Sequence, residues 1–594
     1  MWNRTGAGLD SGPQQDRVLV LDADMPHTLA IVRSLARRGL AVHVASHAAK
    51  PLAGYSRHAR EVLHYPDPLT DEPAFLAWIG TVAHAGTYRL VIPVTERTAV
   101  PIHEQASLRG TGRFALPPAE ALAVALDKER TLELASGLGV PIPYSTPVVS
   151  EADLTQALAD IRYPVVVKPS RSIGTGREVR RQLSVEYAFG EQELRAKTRH
   201  FLAYGEVLLQ QYVPGEGVGI ELIANRGRIE YAFQHRRLHE IPLTGGGSCL
   251  RISVPVEPVL LDAAARLMAA LAWHGVAMVE FKWNAADGSF ALMEINGRFW
   301  GSLPLAVAAG ADFPAMLYEL LVDGAVGARP PARTGVVCRK LSSDIYWLEQ
   351  VLRRDAPAGL VKFPSLGSVL RDLLLVFSPR HRFDVQQWRD PWPGVVDLAR
   401  IGGAYLDRFA QRWRERRQFR AHRSAWRNGR AQRCLAGAKQ VLFVCYGNIN
   451  RSALAERSFQ GLAPERGVAA ISAGFHEEEG RPADPVMVDV AEKAGIGLHA
   501  WSSRRVTAEM VAASDVILVM EHRHFERLCE EFPAAAGKTF LLGMAAGGSC
   551  GKGEIDDPYG KDRAEYERCA REVTASVRGI TNSLAGARAQ GAQG

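Results

Sequence analysis

No apolar run in this 594-residue chain approaches the roughly 20 residues that a helix needs to cross a bilayer. The opening residues, MWNRTGAGLDSGPQQDR, lack the basic-then-apolar pattern of a secretory leader, so the expected compartment is cytoplasmic. Cysteine is sparse: seven residues, irregularly spaced and with no paired CxxC, which argues against both a disulfide framework and a zinc site. In a reducing compartment these thiols stay free. Internal repeats and low-complexity tracts are absent as well. The net charge is only +7, and residues 408–433 hold most of the excess, with ten arginines against one glutamate. The rest is close to neutral, which excludes a nucleic-acid-binding protein as a whole.

What is present is too long for one hydrophobic core, so about two to four domains are expected. Residues 17–115 alternate apolar strands (RVLVLDAD, AVHVAS, LVIPVT) with a helical pattern (HTLAIVRSLARRGL), the rhythm of a parallel sheet. Residues 116–325 mix strands with helices and carry two glycine-rich stretches. From 326 to 437 the pattern reads as a helical basic linker region. A fresh α/β unit begins at 438, with QVLFVC, AAISAG and DVILVM as buried-strand candidates.

In this last unit, residues 441–456 read VLFVCYGNINRSALAE: a strand ends on Cys445 and a helix opens near Arg451. Successive backbone N–H groups in such a loop, together with the positive end of the following helix, hold an anion. The same field favours a thiolate, and an arginine there grips two phosphate oxygens. A bare C-x5-R is also what a buried strand-end cysteine looks like. Here, however, IDDPYG at 555–560 offers Asp557 to protonate a leaving oxygen. Cysteine, arginine and aspartate together suffice for phosphate-monoester hydrolysis through a phosphocysteine.

Residues 438–594 resemble a low-molecular-weight protein tyrosine phosphatase throughout, with ISAGF, ADPVMVDVAEKAGI and DVILVM in family order. The resemblance implies Cys445 as nucleophile, Arg451 for the phosphate and Asp557 as acid. It also implies Asn448, Ser452 and Ser472 as loop supports, Tyr559 in the cleft wall, and a phosphotyrosine protein or phosphorylated metabolite as substrate. DPYGKD is similar to the bacterial branch linked to surface-polysaccharide export. Two departures stand out. Asn450 replaces a second loop cysteine, and Trp501 replaces a histidine that usually braces the loop, which puts the loop's rigidity in question. Arsenate reductases share this fold and form an alternative, kept open by Cys529, Cys550 and Cys569.

Earlier, VAMVEFK (276–282) and ALMEINGRFWGS (291–302) set Glu280 and Glu294 on two strands, with Asn296 as a third oxygen donor. Such hard donors suit magnesium, or manganese, completed by substrate phosphates. Arg298 lies within reach of a phosphate. YPVVVKPSRSIGTGREV (163–179) ends a strand on Lys168 before a flexible loop in which Gly174 and Gly176 let backbone amides approach phosphate. No lysine follows the glycines, so this is no Walker loop. VLLQQYVPGEG (207–217) breaks from strand to turn, an edge suited to adenine.

In order and spacing, DKERT (127–131), VVVKPS, QQYVPGEG, VEFK and MEINGRFWG resemble the ATP-grasp superfamily, and within it carboxylate–amine ligases of the carbamoyl-phosphate-synthase type. The implied fold class is α/β multidomain: a Rossmann-like pre-ATP-grasp domain (17–115), an ATP-grasp α+β domain (116–325), the linker region (326–437) and a separate four-stranded parallel-sheet phosphatase domain (438–594). The implied ATP site uses Lys128, Lys168 and Arg298 for phosphates, Gln211 and Val213 near adenine, and Glu216 for ribose, with Glu280, Glu294 and Asn296 as metal ligands. The implied chemistry joins a small-molecule carboxylate to an amine through an acyl phosphate. Arg236, Arg237 and Arg251 are candidates for holding the carboxylate, or a solvated charge run. The arginine-rich stretch 408–433, interleaved with Phe409, Trp413, Phe419 and Trp426, reads either as a solvated helix between domains or as a peripheral membrane contact. A further alternative makes the N-terminal half a regulatory ATP-binding module beside a sole catalytic phosphatase.

Overall fold

The computed structural model describes residues 16–591 apart from 110–113, 172, 176–179, 357–359, 362, 463–466 and 547–552. Gly176 and Cys550 lie outside the described residues. The chain divides into two compact units, Met1–Gly402 and Gly403–Gly594.

In the first unit, the strands Ala59–His64, Ala41–Ser46, Arg17–Val20 and Leu90–Ile92 lie side by side in that order, all parallel. Their apolar side chains are fully buried at Val18, Leu19 and Val20, as two-faced burial of a parallel strand requires. An antiparallel sheet follows in the order Ser145–Val148, Val207–Gln211, Val165–Pro169, Glu186–Ala188. A larger sheet runs Phe290–Asn296, Gly275–Trp283, Glu216–Asn225, Arg228–Ile241, Gly247–Val254, Val337–Arg339, His381–Phe383. Trp273 and Trp300 sit in the core of this unit.

The last two strands correct the reading of 326–437 as a linker. Val337–Arg339 pairs with Gly247–Val254, and His381–Phe383 adds parallel to it. Buried charges fasten this segment to the sheet. Arg251, fully buried, donates to Asp384 at 2.6 Å. His239 contacts Asp344 at 2.6 Å and Asp372 at 3.3 Å while stacking on Trp347. The segment is helical in part, at Leu341–Arg353 and Leu366–Leu374, and its arginine-rich stretch lies in helix Pro391–Arg427, which has residues in both units.

The second unit is built on four parallel strands in the order Ala469–Gly474, Gln440–Cys445, Val516–Val519, Thr539–Leu541. No single helix among the described residues is long and apolar enough to cross a membrane. The bent pair Leu303–Ala309 and Phe313–Asp323 is apolar because it forms part of the first unit's core.

Candidate active sites

In the first unit the two glutamate strands are neighbours, and Glu280 faces Glu294 in register while Met278 faces Asn296. The Asn296 amide bridges the carboxylates, donating to Glu294 at 3.0 Å and Glu280 at 3.3 Å. Arg237 donates to the other Glu280 oxygen at 2.7 Å. Burial pushes the Glu280 carboxyl up; Arg237 pulls against this and Glu294 adds to it. Glu294 is buried too, but Lys128, Asn296 and Lys168 outweigh the burial and hold it below the usual carboxylate range.

These side chains line a cavity of about 570 Å³ together with Lys168, Gln211, Val213 and Arg298. Lys168, on strand Val165–Pro169, is 8% exposed, and burial lowers its ammonium to about 8, aided by Lys128 and opposed by Glu294 and Glu280. Lys128 opens helix Lys128–Gly137, whose first turn is capped by Asp127. Its backbone N–H donates to Ser170 just beyond the Lys168 strand, and it lines a small second cavity that shares Glu294, Asn296 and Arg298 with the first. Arg298 donates to Glu96 at 3.0 Å. The Gln211 N–H is already taken by the Tyr144 carbonyl.

Two expectations fare differently. Glu216 is exposed and outside the cavity lining, where its neighbour Gly217 appears instead, because successive strand residues face opposite ways. The three arginines do not act together: Arg236 is exposed, Arg251 is locked in the core, and only Arg237 lines the cavity. Glu240 and Lys340 line it too, and no motif in the sequence pointed to them.

In the second unit Cys445 ends strand Gln440–Cys445 and is 2% exposed. Its sulfur meets the Ser452 hydroxyl at 2.9 Å and accepts from the Asn448 N–H at 3.2 Å. Asn448 turns the loop at φ 53°, and its amide donates to Ser452 at 2.9 Å and Ser472 at 2.8 Å. Gly474 is required beside this loop, since a Cβ there would lie 2.6 Å from the Tyr446 carbonyl oxygen. Arg451 begins helix Arg451–Leu462 and is fully buried. It donates to Asp557 at 2.5 Å, to the Ile555 carbonyl at 3.0 Å and to Glu521. Its Nε has no hydrogen-bond partner among the described residues. Burial opposes the guanidinium charge, but Cys445, Asp557 and Glu521 outweigh it and raise its pKa.

Residues 440–590 match the family model for low molecular weight phosphotyrosine protein phosphatase. Over 127 residues the chain is 39% identical to the probable low molecular weight protein-tyrosine-phosphatase AmsI of Erwinia amylovora, covering 21% of this chain and 84% of that one. It is 40% identical over 139 residues to low molecular weight protein-tyrosine-phosphatase Wzb of Escherichia coli strain K12, covering 22% of this chain and 90% of that one.

The chain belongs to the low molecular weight protein-tyrosine-phosphatase family.

Residues 204–343 match a second family model, ATP-grasp in the biosynthetic pathway with Ter operon. A solved L-amino acid ligase from Bacillus licheniformis is 16% identical, covering 52% of this chain and 75% of that one, with a TM-score of 0.41. The chain therefore carries a segment matching an ATP-grasp family model ahead of a tyrosine-phosphatase domain.

The phosphatase unit's two departures have structural answers. Trp501 is 6% exposed and donates from its indole to the Asn448 carbonyl at 2.6 Å, so it braces the loop in place of a histidine. Asn450 is buried, and its side-chain amide makes no hydrogen bond among the described residues. Glu521 went unnoticed in the sequence because a glutamate after a strand carries no local signal; only the fold sets it on Arg451. Tyr559 and Tyr446 are exposed. Of the other thiols, burial pushes those of Cys529 and Cys569 up.

Proposed function

We propose that the chain is a bifunctional enzyme: an ATP-dependent carboxylate–amine ligase in its first unit and a phosphocysteine-forming phosphatase in its second. The observation that carries the ligase reading is the face-to-face pairing of Glu280 and Glu294 beside Lys168 in one cavity. Two buried carboxylates held together by an amide are poorly stable alone, and this donor set fits a divalent cation. Glu280, Glu294 and the Asn296 oxygen would hold magnesium or manganese, which supplies charge neutralisation on the ATP phosphates. Lys128, Lys168 and Arg298 hold phosphate oxygens, and Gln211 and Val213 face the base.

A carboxylate oxygen attacks the γ-phosphorus of ATP, forming an acyl phosphate and releasing ADP. An amine nitrogen then attacks the acyl carbon; the C–N bond forms, the C–O bond breaks, phosphate leaves and the amine gives up a proton. The chain's own contribution is placement and electrostatic clamping of the transferring group.

The phosphatase reading is supported by two pairs, Cys445 with Ser452 and Arg451 with Asp557, and by the charge interaction between Cys445 and Arg451. Substrate phosphate takes the unpartnered Arg451 Nε and displaces Asp557 from Arg451. Cys445 sulfur attacks phosphorus, an S–P bond forms, the P–O bond to the leaving group breaks, and Asp557 protonates that oxygen. Water then attacks phosphorus, Asp557 accepts its proton, and the S–P bond breaks.

The test is a screen of the full chain for ADP release against pools of amino acids and organic acids, with Glu294→Ala as control, beside aryl phosphate hydrolysis with Cys445→Ser as control. ADP release independent of any added amine would overturn the ligase reading. Hydrolysis that survives Cys445→Ser would overturn the phosphatase one.

A further inference from the structure

The second unit has a cavity of about 510 Å³ whose lining does not include Cys445. One wall is the basic helix, where Arg416, Arg420 and Arg423 recur at helical spacing around Phe419. The same helix buries His422, Ala425 and Trp426, which fixes the arginine row beside the domain. The opposite wall begins at Glu521 and continues into helix His522–Glu531 with His522, Arg523 and Glu526.

Two features mark this as more than a solvated charge run. Arg416, Arg420 and Arg423 have no carboxylate partner among the described residues, while two acids of the lining, Glu554 and Glu415 of the basic helix itself, accept hydrogen bonds from other groups. Glu554 accepts from the His522 N–H at 2.7 Å, and Glu415 from Gln411 at 3.1 Å. In addition, His522 is 8% exposed and neither ring nitrogen makes a hydrogen bond, Nε2 lying 3.4 Å from Glu526. Guanidiniums without a carboxylate partner, Arg423 resting on the Phe419 ring, beside an imidazole without a hydrogen bond make a site for phosphate oxygens.

The cavity also touches the candidate active site. Arg523 holds both oxygens of Glu521, each at 2.8 Å, and the Glu521 Oε1 that accepts from Arg523 also accepts from Arg451. We infer that this cavity binds a soluble ligand carrying two or more phosphate groups, and that its occupancy draws Arg523 from Glu521 and tightens Glu521 on Arg451. Arg451 is then less available to substrate phosphate, so KM rises while kcat is little changed. The binding part stands by itself; the kinetic part rests on the phosphatase reading above.

The probe is inorganic tripolyphosphate, titrated calorimetrically into the full chain. Arg416→Ala, Arg420→Ala and Arg423→Ala together should remove one binding event or weaken it at least about tenfold. Arg412→Ala, Arg414→Ala and Arg417→Ala, an equal charge loss outside the cavity lining, should leave it intact. In aryl phosphate hydrolysis, KM should climb to a plateau several-fold above its starting value, since a second site does not exclude substrate. The plateau should vanish in the first triple variant. Equal loss in both triple variants, or a KM that rises without limit in every form, overturns the inference. So does arginine-dependent sedimentation with vesicles of phosphatidylcholine and phosphatidylglycerol when tripolyphosphate binding ignores these arginines. Absence of any aryl phosphate hydrolysis would remove the phosphatase reading and leave the binding result standing.

Discussion

The indole N–H of Trp501 donates to the backbone carbonyl of Asn448, the residue that turns the Cys445 loop through a positive φ. A non-glycine residue in that conformation persists only when its surroundings hold it there. Here the Asn448 side chain is held by Ser452, Ser472 and the Arg504 N–H, and its carbonyl by Trp501. Trp501→Phe keeps the apolar body and removes one donor, leaving a buried carbonyl unsatisfied. The expected cost is about 1–3 kcal/mol of stability, read as an earlier chemical-denaturation midpoint, with a higher KM for aryl phosphate.

Asp557 should matter in proportion to how much help the leaving oxygen needs. With a poor leaving group such as phenol, Asp557→Asn should lower kcat by about 10²–10⁴-fold. With p-nitrophenol, which departs readily as an anion, the loss should be visibly smaller. Equal losses for both substrates would argue that Asp557 serves only to hold Arg451.

Glu280→Gln tests the carboxylate pair at constant size. It removes one charge from the cation site and unpairs Arg237, so amine-dependent ADP release should fall below detection. Aryl phosphate hydrolysis by the same preparation is expected to be unchanged, a contrast that excludes misfolding of the second unit.

Lys168 gives the first unit a pH signature. Its ammonium titrates near 8, so below that pH the cation is present to meet phosphate, and above it the free protein is mostly neutral there. A bound phosphate favours the charged form. ATP binding at about pH 8.5 should therefore take up a sizeable fraction of one proton, and almost none near pH 6.5. Calorimetry in buffers of different ionisation enthalpy measures this, and Lys168→Met should abolish the difference.

Asp384 anchors the segment that follows the seventh strand, its carboxylate meeting the buried Arg251 at 2.6 Å and the Cys338 thiol at 3.1 Å. Asp384→Ala leaves Arg251 uncompensated at zero exposure. We expect a loss of about 3–5 kcal/mol, seen as early unfolding of the first unit by tryptophan fluorescence. An unchanged midpoint would mean that this segment is dispensable to the sheet.

Elements whose chemistry is local are legible in the residue order alone. A strand running into Cys445, a helix opening at Arg451, and two glutamates on adjacent strands follow from apolar pattern and spacing, because strand and helix periodicities act over a few residues. Which distant groups meet depends on the folded chain. It set Glu521 on Arg451, put Trp501 under Asn448, left Glu216 outside the cavity while bringing in Glu240 and Lys340, and split three neighbouring arginines between solvent, cavity and core. It also turned an expected linker into two further strands, since short buried segments such as Val337–Arg339 gain their stability from the neighbours they pair with rather than from any signal of their own.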